Sequence, residues 1–492
     1  MSTDQINQII ININTFVWGF PLIFLVLFVG ILFTFRLTFL QIFRLPRALY
    51  YMLRNEKTDK GEVSSFAALC TALSATVGTG NIVGVATAIV AGGPGALFWM
   101  WVAAFFGMGT KFAEGVLAVK YREIRPDGTI LGGPFYYIEK GMGKKWIPLA
   151  SLFAFFGAMS ALLGTGTFAQ INSITSSVEN FFGGGPDHIL QFGPFRASQA
   201  AAIAGLAVTF FAAIIIFGGL RRIANVSKIL APAMILVYVG LCSLLLITNY
   251  QRIPHAVYQI VYGAFNPSAI TGGITGSILA AMQKGIARGI FSNESGLGTA
   301  PIIAAAAQTR YPVRQGLVSM TGTFIDTIIV CTMTGISIVI MSSWNRNLDG
   351  IFVTSDAFEK GLPFLPSTFV SGTLMICLFF FAFTTCLGWS YYGERCLDYL
   401  AGGSRRPLFF YRIFYILAIF AAPWLPLQII WNSADVFNGL MAFPNLAALI
   451  VLSGVVVRET KDYFKMVKNQ KFDHEQIKKK DQTENENKQQ TA

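Results

Sequence analysis

Two stretches of this chain set glycine among small hydroxyl and amide residues inside otherwise apolar sequence. One reads Ser74-Ala75-Thr76-Val77-Gly78-Thr79-Gly80-Asn81, the other Phe291-Ser292-Asn293-Glu294-Ser295-Gly296-Leu297-Gly298-Thr299. Such stretches break a helix, and a broken helix exposes amides and carbonyls that its ladder would otherwise pair. Amides at the start of a half-helix sit at the positive end of its dipole and suit a carboxylate. Freed carbonyls suit an ammonium or a hard cation. In hydrocarbon an unpaired backbone group costs several kcal/mol, so such breaks persist only where they are buried or line a cavity.

The elements that must hold these breaks are membrane helices. Hydrophobic residues make up 54% of the 492 residues and charged residues 13%, where a soluble domain carries about 25% charged. Mean hydropathy is +0.56. A spanning helix needs about 20 mostly apolar residues. That length predicts an all-α polytopic membrane protein with about eleven spans: a leading helix over 15–40, then 64–90, 94–121, 147–178, 199–218, 226–248, 269–307, 314–342, 367–397, 407–423 and 427–457. The segment 269–307 is too long for one straight span, as a break near 291–298 requires. Residues 458–492 read as a polar, disordered cytoplasmic tail, and residues 1–14 as a polar lead without a cleavable signal.

Loop charge orients the chain. With the loop after the leading helix inside, Arg44, Arg47, Arg54, Lys57 and Lys60 are cytoplasmic. Alternation then places inside Lys120, Arg122, Arg125, Lys140, Lys144, Lys145, Arg221, Arg222, Lys228, Arg310, Arg314, Arg405 and Arg406. Only Arg196, Arg252, Arg346 and Lys360 remain outside. The N-terminus is expected outside, the C-terminus in the cytoplasm, and the location a cell (inner or plasma) membrane. The organisation predicted is 1–60 (outer N-terminus, leading helix and cytoplasmic loop), 61–250 (first five-helix repeat), 251–457 (second repeat) and 458–492 (tail). Each repeat opens with a broken helix. An odd-numbered repeat inverts its second copy, and paired broken helices in an inverted repeat point to the substrate site of a secondary transporter.

Further motifs carry a resemblance. They are Gly92-Gly93-Pro94-Gly95-Ala96, Lys111-Phe112-Ala113-Glu114, Gly132-Gly133-Pro134-Phe135-Tyr136-Tyr137, Arg288-Gly289-Ile290, Thr384-Thr385-Cys386-Leu387-Gly388-Trp389-Ser390-Tyr391-Tyr392-Gly393-Glu394 and Pro444-Asn445. With the two breaks, in order and over about 60–460, the chain resembles the alanine/glycine:cation symporter family, which is similar in fold to LeuT-type amino-acid transporters. The resemblance implies cotransport of a small neutral amino acid, alanine or glycine, with Na⁺ or H⁺, and Na⁺ is the expected coupling ion. No organic cofactor and no obligatory protein partner are expected beyond substrate and bilayer.

A zwitterion needs partners at both ends. Thr79, Gly80 and Asn81 are expected to meet the carboxylate; Gly78 and Gly80 would otherwise serve only close helix packing. Carbonyls near Phe291, Ser292, Asn293 and Glu294 are expected to meet the ammonium, with the Asn293 and Glu294 side chains in reach. Glu294 has the alternative of an ion pair with Arg288 or Lys284. Gln170 can bond either end of the ligand, and Trp389 can wall the pocket; packing or lipid contact is the rival for both. By alignment with LeuT-type proteins, the resemblance implies two Na⁺ sets. The first joins the carbonyls of Ser74, Val77 and Phe381 to the hydroxyls of Thr384 and Thr385, which otherwise bond back to their own helix. The second uses Thr76, Asn81, Ser292 and Asp326, where Asp326 also suits a proton-coupled or structural role. Glu114 and Asp435 are further intramembrane acids; Lys111, three residues before Glu114, is expected to pair with it.

Other classes fit less well. A net charge of +12 lies in short loops between spans, which disfavours nucleic-acid binding. Cys70, Cys242, Cys331, Cys377, Cys386 and Cys396 have no metal spacing and read as buried small hydrophobes. Three scattered histidines offer neither zinc set nor catalytic base, so no enzyme is expected. A channel would need a filter repeat or an acidic ring, and neither is visible.

Overall fold

The apolar runs wind into helices throughout the computed structural model, which describes residues 3–54, 61–182, 189–192, 195–266, 278–424 and 428–469. The leading element is α1 (Thr3–Val17) followed by α2 (Phe20–Arg36). The lead therefore differs from the polar one expected. Ile10 and Val17 lie two turns apart among Asn residues, half-buried and buried, whereas Ile13 is exposed. That face packs α1 on the last span, where the Trp18 indole donates to the Asp435 carbonyl at 2.7 Å. A short helix, α3 (Leu45–Leu53), follows.

The first half holds α4 (Ser65–Thr76) and α5 (Val85–Gly92), then α6 (Gly95–Lys120), α7 (Ile147–Leu163), α8 (Phe168–Phe182), α9 (Gln199–Ile216) and α10 (Gly219–Thr248). The loop helix α11 (Ile253–Phe265) leads to the second half. There α12 (Ile278–Asn293) and α13 (Ala300–Ala304) precede α14 (Pro312–Thr323) and α15 (Thr332–Ile340), joined by π-wound turns over Phe324–Cys331. Then come α16 (Ile351–Gly361), α17 (Ser367–Leu400), α18 (Arg405–Ala421), α19 (Gln428–Val451) and α20 (Ser453–Asn469).

Eight described helices are long and apolar enough to cross a membrane, or ten when two bent pairs each count as one. One bent pair is the first break, where the chain turns by 53° between Thr76 and Gly80. The second break, α12 to α13, is not among these ten; its described halves are each too short to span alone, and the start of the expected span 269–307 lies outside the described residues. The expected tail begins later than residue 458, because helix continues to Asn469 after a 57° bend. The rest of the tail lies outside the described residues, as do Lys57, Lys60 and the start of the segment 269–307.

Two local devices fix the breaks in space. Ser64 caps α4, its hydroxyl accepting from the Ala67 amide at 3.1 Å. Val63 and Ser64 also pair in parallel with Ala307 and Gln308, just beyond α13. Beside them the Glu62 carboxylate accepts the Ile130 amide; burial pushes its pKa above the ordinary carboxylate value, and that amide partly offsets the rise. Small residues then let helices touch. A Cβ on Gly285 of α12 would stand 2.2 Å from the Ala96 carbonyl oxygen of α6, so only glycine permits this approach.

Candidate functional site

The first break is shaped by one side chain. Asn81 folds back so that its Oδ1 accepts the Gly78 amide at 2.9 Å. Val77 still bonds to Leu73, and Asn81 N reaches Gly78 O at 3.3 Å. Among the described residues no backbone acceptor takes the amides of Thr79 and Gly80. These are the bare donors that the sequence places here, at the entry to the π-wound turn Gly80–Gly84.

The second break lies against the first. A Cβ on Gly80 would meet Ser292 Cα at 3.3 Å and the Phe291 ring at 3.6 Å. α12 ends at Asn293, whose Oδ1 takes the Ser295 amide at 2.9 Å. That bond diverts the donor that would have reached the Phe291 carbonyl in a continuing helix. Glu294 then adopts φ +55°, the left-handed region, which costs a non-glycine residue on the order of 1 kcal/mol or more. Gly296 and Gly298 take the same hand at φ +89° and +84° without that cost.

Asp326 joins the two breaks. Its Oδ1 accepts from Asn81 Nδ2 at 2.7 Å, and its Oδ2 accepts from Ser292 at 2.9 Å and Thr327 at 2.7 Å. Cys331 lies 3.3 Å from both Asn81 Nδ2 and Ser292 Oγ. The π-wound turns of Phe324–Cys331 bring Asp326, Thr327 and Cys331 to one face, as such wide turns commonly do at functional sites. Asn81, Ser292 and Asp326 of the second ion set are thus together. Thr76 is apart, its hydroxyl bonded back to Ala72 O at 3.1 Å.

The first ion set gathers around α17. Thr385 Oγ1 reaches the Ser74 carbonyl at 3.1 Å and the Phe381 carbonyl at 2.9 Å, so a single hydroxyl links α17 to α4. Thr384 Oγ1 lies 3.2 Å from Phe381 O. A Cβ on Gly78 would come within 2.6 Å of Thr385 Oγ1 and 3.6 Å of Gln170 Oε1. Gln170 Nε2 donates to Thr165 O at 3.1 Å, whereas its buried Oε1 has no partner. Oxygens of Ser74, Phe381, Thr385 and Gln170 therefore converge beside the first break; Val77, buried, is the cap that follows α4 just before Gly78. Neutral oxygens of this kind suit a hard monovalent ion.

One expected pairing, and the alternative left open for Glu294, are not formed. Glu294 does not pair with Arg288 or Lys284; its carboxylate accepts from Thr299 and, at 3.0 Å, from the Trp389 indole. Arg288 lies 5.6 Å from the centre of the Phe291 ring instead. Lys111 does not pair with Glu114. Its ammonium caps the carbonyl of Asn293, the last residue of α12, at 2.8 Å. Glu114 Oε1 takes Asn445 Nδ2 at 2.7 Å and the Gly298 amide at 3.2 Å. Asn445 also donates to Gly296 O and accepts from the Tyr137 hydroxyl.

Some functional features escaped the sequence reading. The span 147–178 is itself interrupted, between Leu163 and Phe168. Gly164-Thr165-Gly166 repeats the Gly-Thr-Gly of Gly78-Thr79-Gly80 and was the available signal. Tyr415 closes this gap, its hydroxyl lying 2.7 Å from the carbonyls of Gly166 and Cys386. Thr327 and Cys331 carried no such signal. All six cysteines are free and buried, as expected.

Comparison with known proteins agrees with this architecture. Residues 3–478 match the model of the sodium:alanine symporter family. An uncharacterized transporter of Haemophilus influenzae is 50% identical over 475 residues, 96% of this chain and 99% of that protein. The sodium/alanine symporter AgcS of Methanococcus maripaludis is 44% identical over 468 residues, 93% of this chain and 97% of that one. Among solved structures, MhsT in complex with L-phenylalanine superposes with a TM-score of 0.52 at 13% identity, covering 80% of this chain and 89% of that one. That likeness is one of fold.

Proposed function

The chain belongs to the sodium:alanine symporter family, and from that premise we propose that it is a secondary active symporter moving alanine or glycine with Na⁺ by alternating access. The family is one of transporters, and the protein is a multi-pass membrane protein. The observation that carries the finer reading is the place where Thr385 bridges Ser74 O and Phe381 O, next to the bare amides of Thr79 and Gly80. An ion bound among these oxygens joins α4 to α17, and its charge lies close to the position of a substrate carboxylate. An ion that binds one conformation better than another biases their equilibrium, which is what coupling requires. The ammonium faces the Phe291 carbonyl and its neighbours at the second break, and Trp389, held by Glu294, limits side-chain size. We place the N-terminus outside, the C-terminus in the cytoplasm and the protein in a cell membrane, from the loop charges.

A second reading is proton coupling. It is favoured by Glu114, fully buried with Oε2 lacking any partner, and by Asp326, whose cluster contains no counter-ion within hydrogen-bonding reach. The test is radiolabelled alanine uptake into proteoliposomes with imposed gradients. Accumulation driven by a Na⁺ gradient alone supports the first reading. Accumulation driven by a proton gradient in the absence of Na⁺ replaces it with the second.

A further inference from the structure

A cavity of about 420 Å³ lies where the leading span ends, between the corner that follows α2 and the helix α20. Arg36, Arg44 and Lys461 stand in its wall, and among the described residues no acid lines it. None of the three cations is engaged in an ion pair among those residues. The acids of α20 are directed elsewhere. Glu459 pairs with Lys120 at 2.5 Å, and Asp462 lies off the face that Val457, Thr460, Lys461 and Phe464 present to the cavity. A second cation-rich cavity, at the junction of α17 and α18, differs in this respect. There Arg412 and Arg395 hold Glu394 at 2.7 and 2.8 Å, and Arg125 holds Asp398 at 3.2 Å.

The fold sets the unmatched cations in place. Thr38 and Phe39 take φ +54° and +53°, a left-handed region uncommon for non-glycine residues. That corner brings Arg36 and Arg44 to one cavity. Arg36 donates to Ser453 Oγ at 2.6 Å, at the bend where α20 begins. The Arg44 guanidinium lies over the Phe464 ring, 4.4 Å from its centre, with Arg47 at 5.8 Å. A guanidinium carries five N–H donors, so both wall arginines keep further donors for a ligand.

Phosphate suits this set, because guanidinium grips its oxygens with paired hydrogen bonds. Depth and surroundings give the source of the phosphate. Arg36 closes the apolar span Asn7–Arg36, so the cavity lies at the level where hydrocarbon gives way to headgroups. Its lip is apolar, with Phe43 72% exposed, and α2 exposes Phe24, Phe28, Ile31 and Phe35 along one face that ends beside Arg36. A soluble anion needs no such lip, whereas an acyl chain lies on it. We propose that this cavity binds the phosphate of an anionic phospholipid from the surrounding bilayer and so clips the leading span to α20. Basic pockets at the ends of membrane helices take anionic headgroups in this way. The inference does not depend on the substrate or the coupling ion.

The test is native mass spectrometry of the purified full-length protein, titrated with phosphatidylglycerol or with phosphatidylcholine of the same chain length. The wild type is expected to retain phosphatidylglycerol about tenfold more tightly or better, and Arg44→Gln with Lys461→Gln to erase that preference. Arg406→Gln, at an exposed position of α18 that does not line the cavity, should leave it unchanged. Lys461→Gln alone, also at an exposed position, should weaken the preference about fivefold, and it serves if Arg44→Gln disturbs the packing on Phe464. Glycerol 3-phosphate at millimolar concentration is expected not to displace the lipid. Equal retention of the two lipids by the wild type, or an unaltered preference in folded Lys461→Gln protein, overturns the site. Displacement by glycerol 3-phosphate overturns the lipid as its occupant and assigns the cavity to a soluble phosphate. All of these outcomes leave the symporter reading as it stands.

Discussion

The Trp389 indole donates to the Glu294 carboxylate at 3.0 Å, so α17 reaches across the bundle to hold the second break. Glu294 needs that hold. It is a non-glycine residue at φ +55°, and among the described residues the Thr299 hydroxyl and this indole are the hydrogen-bond donors to its buried carboxylate. The aromatic ring expected to wall the pocket is therefore a clamp on the backbone whose carbonyls we propose to face the ligand.

Trp389→Phe keeps an aromatic ring and removes the N–H. A hydrogen bond to a charged group is worth about 1.5–3 kcal/mol. Alanine affinity is expected to fall by tenfold to a hundredfold in equilibrium binding, with protein abundance near normal. Unchanged affinity would mean that the indole bond does not shape the site.

Asn81→Ala removes the acceptor for the Gly78 amide and the donor to Asp326 together. It leaves a buried amide and a carboxylate oxygen short of partners, at about 1–3 kcal/mol each. Both alanine binding and thermal stability are expected to drop. A variant that binds alanine like the wild type would remove Asn81 from the site.

Thr385→Val keeps the shape of the side chain and deletes the hydroxyl that bridges Ser74 and Phe381. Na⁺ activation of uptake should weaken by at least tenfold, whereas Thr384→Val, whose hydroxyl reaches only its own helix and a methionine sulfur, should do less. The check is the Na⁺ concentration for half-maximal uptake. Equal effects of the two substitutions would displace Thr385 from its central role.

Gly78→Ala places a methyl group 2.6 Å from Thr385 Oγ1. Something must shift, and the nearest mobile object is the hydroxyl itself. Loss of Na⁺ dependence with retained folding is the expected outcome in the same uptake assay; a silent substitution would argue that the two helices are not held at this distance.

Lys111→Met deletes the ammonium that caps Asn293 O in a region holding the buried acids Glu114, Glu294 and Asp326. Removing one partner of a buried charged set commonly costs about 3–5 kcal/mol. The thermal midpoint of the solubilised protein is expected to fall by several degrees, and Lys111→Arg, being larger and branched, should restore it only in part.

The membrane class, most of the spans and both breaks were legible because each rests on local composition: apolar length, glycine and loop charge. So were Asn81, Ser292 and Asp326 as neighbours, and Thr385 beside Ser74, through the resemblance rather than through spacing. Lys111 was misplaced because three residues along one helix is a local neighbourhood, whereas Asn293 lies 182 residues away and is met only after folding. The same limit hid Asn445, whose amide serves Glu114 and Gly296 from the last span. The helical lead was missed because polar Asn and Gln outweighed an apolar stripe that becomes useful only once α19 is there to cover it.

The parallel pairing of Val63-Ser64 with Ala307-Gln308 stitches the beginning of one interrupted helix to the finish of the other. Arg122 reinforces the stitch by donating to the carbonyls of Ala305 and Ala307 at 2.8 Å. Two levers fastened at their tips cannot swing independently. Any motion that opens the passage on that face must carry α4 and α13 as one body, pivoting at Gly78–Gly80 and at Glu294–Thr299. The hinges are then the very backbone proposed to hold the ligand, so a filled site would change the stiffness of the joint it occupies.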